Sequence, residues 1–174
     1  MKAPKKRTRS YDPTRWLRRV EAGAQRRRDA STLSHEQTLD VGIACRLSLD
    51  RLRQGGDESS WHTLALAFNV SLILCERGVC ESYLPEIIAG QEALMRIKKR
   101  TRTARSWAMD GAGRQAIEIA LDVHEAHMEG CTQGEIRLAI REVERRMAAG
   151  DVFEESAEQQ LTTPTTPAEQ AVIG

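Results

Sequence analysis

The sequence predicts an all-α protein: a compact bundle of four to five helices with a basic N-terminal arm and a disordered acidic C-terminal tail. Three observations carry that reading. Apolar residues recur at steps of three and four through most of the stretch between residues 34 and 147. Helix-start and helix-stop residues bracket these runs, with Ser34, Asp57, Pro85 and Thr132 at starts and Gly55, Gly78, Gly130 and Gly150 at ends. Only five prolines and two phenylalanines occur in 174 residues, which argues against a turn-rich all-β domain. At 40% hydrophobic and 29% charged residues, the chain can bury a core. The expected layout is a partly helical arm over 1–30, a helical domain over 31–153 and a tail over 154–174.

The arm begins with Met1 to Ser10, where charge precedes any apolar anchor and Pro4 and Pro13 oppose helix. From Thr14, a candidate N-cap, Trp16, Leu17 and Val20 share one helical face. Gly23 weakens this helix by about 1 kcal/mol relative to alanine, so a partner is expected to order it. Ser34 and Gln37 form a capping box ahead of the next helix. Its inner face is expected to hold Val41, Ala44, Cys45, Ser48, Leu49 and Leu52, widened by Leu39, Ile43 and Leu47. Gly55-Gly56 stops it.

Asp57 and Glu58 place negative charge at the positive end of the third helix. Its thirteen residues from Thr63 to Cys75 carry no charge, so it must be covered nearly all round and is expected at the centre. Pro85 sits near the first position of the fourth helix, whose inner face is Leu84, Ile87, Ile88, Gln91 and Met95, with Leu94 and Ile97 beside it. After a turn at Asp110-Gly111-Ala112-Gly113, Ala116, Ile117, Ala120, Leu121, His124 and Met128 mark the fifth. Thr132 and Glu135 form a second capping box, and Ile136, Ala139, Ile140, Val143 and Met147 are expected inside the last helix.

The net charge of +1 conceals blocks of opposite sign. Residues 1–28 hold eleven Lys or Arg against two acids, a net of +9; residues 29–95 are at −6. Residues 96–105 hold six bases and no acid, and residues 106–174 are at −8. Arginine supplies 21 of the 26 positive charges, and guanidinium groups grip phosphate bidentately where lysine does not. No apolar run approaches the roughly 20 residues needed to span a bilayer. No apolar segment follows the basic start, so no secretory signal is expected and the expected location is the cytoplasm.

Few motifs speak of chemistry. Cys45, Cys75, Cys80 and Cys131 form no CxxC pair and read as reduced cysteines, mostly small core hydrophobes. His124, His127 and Cys131 carry zinc-type donors on one face only if the helix runs past Gly130, and no fourth ligand is evident, so no metal site is assigned. Ala65–Ser71 mimics the turn of a helix-turn-helix, but the following Leu72-Ile73-Leu74-Cys75 is too apolar to read bases. There is no GxGxxG, P-loop, nucleophile elbow or paired-carboxylate arrangement, so neither an enzyme nor a cofactor is expected.

The strongest signal is the arginine-rich arm. Arg15, Arg18, Arg19, Arg26, Arg27 and Arg28, with Trp16 interleaved, have the composition of helices that order on DNA or RNA, and Lys98, Lys99, Arg100, Arg102 and Arg105 could extend the phosphate track. The expected function is therefore a small non-enzymatic nucleic-acid-binding regulator of bacterial or mobile-element type. The rival is a protein-interaction module, an adaptor or inhibitor, whose arm docks on the bundle or on a partner protein. Nothing in the sequence decides whether the chain forms a homo-oligomer.

Overall fold

The computed structural model describes residues 15–104 and 106–150. The expected cap at Thr14, residues 1–10, Arg105 and the tail over 154–174 lie outside the described residues. Those described form six α-helices rather than four to five: α1 (Arg15–Asp29), α2 (His35–Arg53), α3 (Glu58–Glu76), α4 (Leu84–Ala104), α5 (Gly111–Gly130) and α6 (Gln133–Ala148), with a 3₁₀ turn over Glu81–Tyr83. Five make the bundle and α1 is the arm helix.

Local chemistry sets the boundaries. Ser34 and Gln37, and likewise Thr132 and Glu135, cap α2 and α6 by reciprocal side-chain to backbone hydrogen bonds. Asp57 accepts from the Ser60 N–H and Asp110 from the Gly113 N–H, each holding a carboxylate at a positive helix end. Gly78 (φ 87°) turns the chain out of α3, and the Val79 N–H closes back on the Leu74 carbonyl at 3.0 Å.

α3 is the axis. Trp61, Leu64, Phe68, Leu74 and Cys75 are almost wholly buried, and α2, α4, α5 and α6 all pack on it. Its first half joins α2, α4 and α5 in the larger core around Leu52, Phe68, Ile87, Leu94, Ile117 and Leu121. Its second half meets α6 and the end of α5 through Val70, Ile73, Leu74, Met128, Ile136, Ala139 and Val143.

Several residues expected inside are outside. Leu39, Ile43 and Leu47 do not widen the inner stripe of α2; they are 49%, 55% and 54% exposed. On a helix they lie on the side opposite Cys45, Leu49 and Leu52, and α2 packs on the bundle through one side only. Ile140 and Met147 are also exposed, although by register they lie at the edge of the buried face of α6. Periodicity of 3.6 admitted more apolar positions than one contact face accepts.

The tightest approach is between α4 and α5 at Gly90. A Cβ there would overlap the Ala120 Cβ and stand 3.1 Å from the Phe68 ring. Gly90→Ala raises helix propensity by about 1 kcal/mol, yet it should lower stability by about 1–3 kcal/mol, because the helices must separate. Urea denaturation measures this; a variant as stable as the parent would show that α4 and α5 do not meet at Gly90.

Candidate nucleic-acid interface

α1 is tied to the bundle by its last turn. Asp29 is ion-paired with Arg137. Partial desolvation works against its charge, but hydrogen bonds from Gln25 and Arg137 hold the carboxyl below its usual range. The Gln133 N–H donates to the Ser31 carbonyl at 2.7 Å, and its side-chain amide donates to the Thr32 carbonyl at 3.1 Å. Gly134 makes room, since a Cβ there would stand 2.9 Å from the Asp29 carbonyl oxygen.

The remainder of α1 is open. Arg18, Arg19, Arg26, Arg27 and Arg28 are all exposed. Val20 is 57% exposed, so it is not an anchor covering apolar surface. Arg15, Trp16 and Leu17 lie in the first helical turn, and their side chains are outside the described residues. By helical register Arg15, Arg19 and Arg26 fall within about 40° of one another. Arg26, Arg27 and Arg28 stand at the negative end of the helix dipole, which favours them. Arg15, Arg18 and Arg19 are near its positive end, with no acidic residue in the first turn. That arrangement is unfavourable for an isolated helix and favourable once an anion is present.

Several arginines of the bundle make a contrast, although Arg51, Arg77, Arg96 and Arg141 also lack an ion pair among the described residues. Arg46 is paired with Asp122 (2.6 Å) and Glu125 (2.7 Å), Arg53 with Glu118, Arg100 with Asp110 (3.0 Å), and Arg146 with Glu76 (2.5 Å) and Glu142 (3.0 Å). No such carboxylate meets Arg19, Arg26, Arg27 or Arg28 among the described residues.

The stripe of basic residues at the end of α4 is built differently. Lys98 donates to Glu58 at 3.0 Å and sits 4.7 Å from the Trp61 ring and 5.6 Å from the Trp107 ring. Trp61 is itself fixed by its indole N–H on the Leu94 carbonyl, 2.7 Å away. Arg100 donates to the Ala108 carbonyl at 2.5 Å as well as to Asp110, pinning the connection into α5. Lys99 and Arg102 are exposed beside them. This stripe flanks Glu58 and Trp61 in the first turn of α3, whereas α6, which carries α1, meets α3 from Val70 to Glu76. About 20 Å of helix separates the two positions. The stripe and the stretch of α3 that receives α6 therefore lie at opposite ends of α3.

The buried histidines are also accounted for. His124 Nδ1 is 2.9 Å from the Ser71 hydroxyl in the core. His127 lies near Cys75 in the last turn of α5. Cys131 is not on the helical face of these histidines; it caps α5 in extended conformation, because the helix ends at Gly130. No family model, curated protein or solved structure matches the chain.

Burial, and then the charge of His127, pushes His124 down to about 4 from the ordinary 6.5. The unfolded chain therefore binds this proton more readily than the folded one. Stability is full above about pH 6.5 and falls as the pH drops towards 4. Between about pH 7.5 and pH 5 the loss should be on the order of 2 kcal/mol, read from urea midpoints, with His124→Gln flattening the slope. A parent protein equally stable at both pH values would contradict a buried neutral imidazole.

Proposed function

We propose that the protein binds nucleic acid through α1, as a small non-enzymatic regulator. The observation that supports this best is the contrast between two sets of arginines. Arg46, Arg53, Arg100 and Arg146 of the bundle are paired with neighbouring carboxylates, while Arg19, Arg26, Arg27 and Arg28 stand exposed without one on a helix held by one end. A helix 15 residues long extends about 22 Å, enough to follow several phosphates along a groove or strand. The Lys98 and Arg100 charges are engaged within the bundle, so the contact surface rests chiefly on α1. Trp16 would add a ring that can stack on an unpaired base.

A second reading, a protein-interaction module, draws support from the exposed ridge of Leu39, Ile43 and Leu47 on α2. The two readings use different helices, so they separate by mutation. With about five phosphate contacts, binding to duplex DNA should show a log–log salt slope of roughly −4 to −5. Replacing Arg18, Arg19 and Arg26 by Gln should lessen that slope by about 3 while leaving the melting temperature in place. Ile43→Glu and Lys99→Gln should leave binding as it was. Absence of binding to both duplex and single strand at about 50 mM salt, where phosphate contacts are strongest, would defeat the proposal and leave the α2 ridge in front.

A further inference from the structure

The last turn of α1 is fastened to the start of α6 at several points. Asp29 is ion-paired with Arg137, the Gln133 N–H donates to the Ser31 carbonyl, and Thr32 and Thr132 form an antiparallel β-bridge. The side of α1 that carries Asp29 therefore faces α6. Helical register continues that side back along the arm: Arg18, Ala22 and Arg26 lie within about 60° of Asp29, and Arg19 within about 80°. Arg28 and Arg27 lie about 100° and 160° away, on other sides of the helix. A phosphate backbone that reaches Arg19 and Arg26 must therefore enter the angle between α1 and α6.

α6 supplies the other wall of that angle. Arg137 holds Asp29, and Arg141 stands one turn farther along the same face, about 40° round the helix. Its positive charge acts on the Asp29 carboxyl together with that of Arg137. Asp29 is already ion-paired with Arg137, however, and Arg141 is exposed and makes no ion pair among the described residues. Neighbouring acids do not compensate it. Glu135 is bonded to Thr132 in the helix cap, and Glu142 is paired with Arg145 and Arg146. Glu144, three residues farther on, ends the basic stretch. The junction thus sets one carboxylate, Asp29, among Arg26, Arg137 and Arg141, an excess of positive charge that an incoming anion relieves.

We propose that Arg141 is a phosphate-binding residue of the same surface, so that a nucleic-acid backbone lies in the angle between α1 and α6 and is held from both helices. Its role rests on the binding proposed for α1. The charge blocks of the sequence do not mark it, because Arg141 falls in the acidic block over 106–174. The two walls differ in mechanics. α1 is fastened by one end, while α6 is packed on α3 through Ile136, Ala139 and Val143. Arg141 therefore presents its guanidinium from a fixed helix, and the phosphate it holds sets where Arg19 and Arg26 meet the neighbouring ones. A guanidinium suits that task, since its planar fork grips phosphate through two hydrogen bonds and fixes orientation as well as charge.

The test measures affinity against salt for a mixed-sequence DNA duplex and for one of its strands, with the full chain. Arg141→Gln should lessen the log–log slope by about 0.9 on the duplex or about 0.7 on the strand, with the melting temperature unchanged. A loss confined to one of the two forms supports the site and identifies the backbone that fits it. Arg141→Lys, which keeps the charge, should keep the slope. Arg51→Gln, equally exposed but at the end of α2 away from α6, should change nothing. A slope untouched by Arg141→Gln but lessened by replacing Arg18, Arg19 and Arg26 would overturn the role of Arg141 and leave that of α1 standing. Equal losses from Arg141→Gln and Arg51→Gln would overturn it as well, as an effect of overall charge. A melting temperature lowered by several degrees in Arg141→Gln would make the residue a fastening of α1 instead. Failure of the parent chain to bind either form at about 50 mM salt would defeat α1 and Arg141 together.

Discussion

Everything in the bundle is arranged around the need to cover α3. A helix without charge from Thr63 to Cys75 is costly to leave in water, and α2, α4, α5 and α6 cover most of its circumference, leaving Leu66 half exposed. Burying its large side chains, at about 1.5–3 kcal/mol each, outweighs any other single contribution in the molecule. Several of the polar groups that come with it are handled in place. Ser71 meets His124, Asn69 accepts from Gln91, and the Trp61 indole finds the Leu94 carbonyl, whereas Ser60 Oγ and Gln91 Oε1 are buried without a hydrogen-bond partner.

Charge is sorted by the same geometry. Once α2, α4 and α5 surround α3, some of their outward arginines face the carboxylates of neighbouring helices, as Arg46 faces Asp122 and Glu125 and Arg53 faces Glu118. These exposed pairs add little stability each, but they neutralise the bundle's surface. α1 stands outside that arrangement, because only its last turn reaches α6. Arg19, Arg26, Arg27 and Arg28 meet no carboxylate among the described residues. The two ends of α3 thus differ in chemistry: a lysine held between two indoles at the first turn, and a cluster of thiols and an imidazole at the last.

The candidate site was legible to different depths. The arginines of α1 were readable because eleven bases among the first 28 residues need no fold to be noticed. That Lys98 is engaged was not readable, since Glu58 and Trp61 lie far from Lys98 in sequence and become its neighbours only through the antiparallel packing of α3 and α4.

The sequence by itself determined where helices begin and end, since caps at Ser34, Asp57, Asp110 and Thr132 and the glycine at 78 act within a few residues of the bonds they satisfy. It determined too that α3 lies at the centre, because an uncharged helix has one destination in water. Which apolar residues on the amphipathic helices are covered was decided by tertiary structure. Leu39, Ile43, Leu47, Ile140 and Met147 obey helical periodicity as well as their buried neighbours do, yet they remain exposed. The physical reason is that a helix in a small bundle touches its neighbours over a limited arc, and the direction of that arc is set by partners distant in the chain.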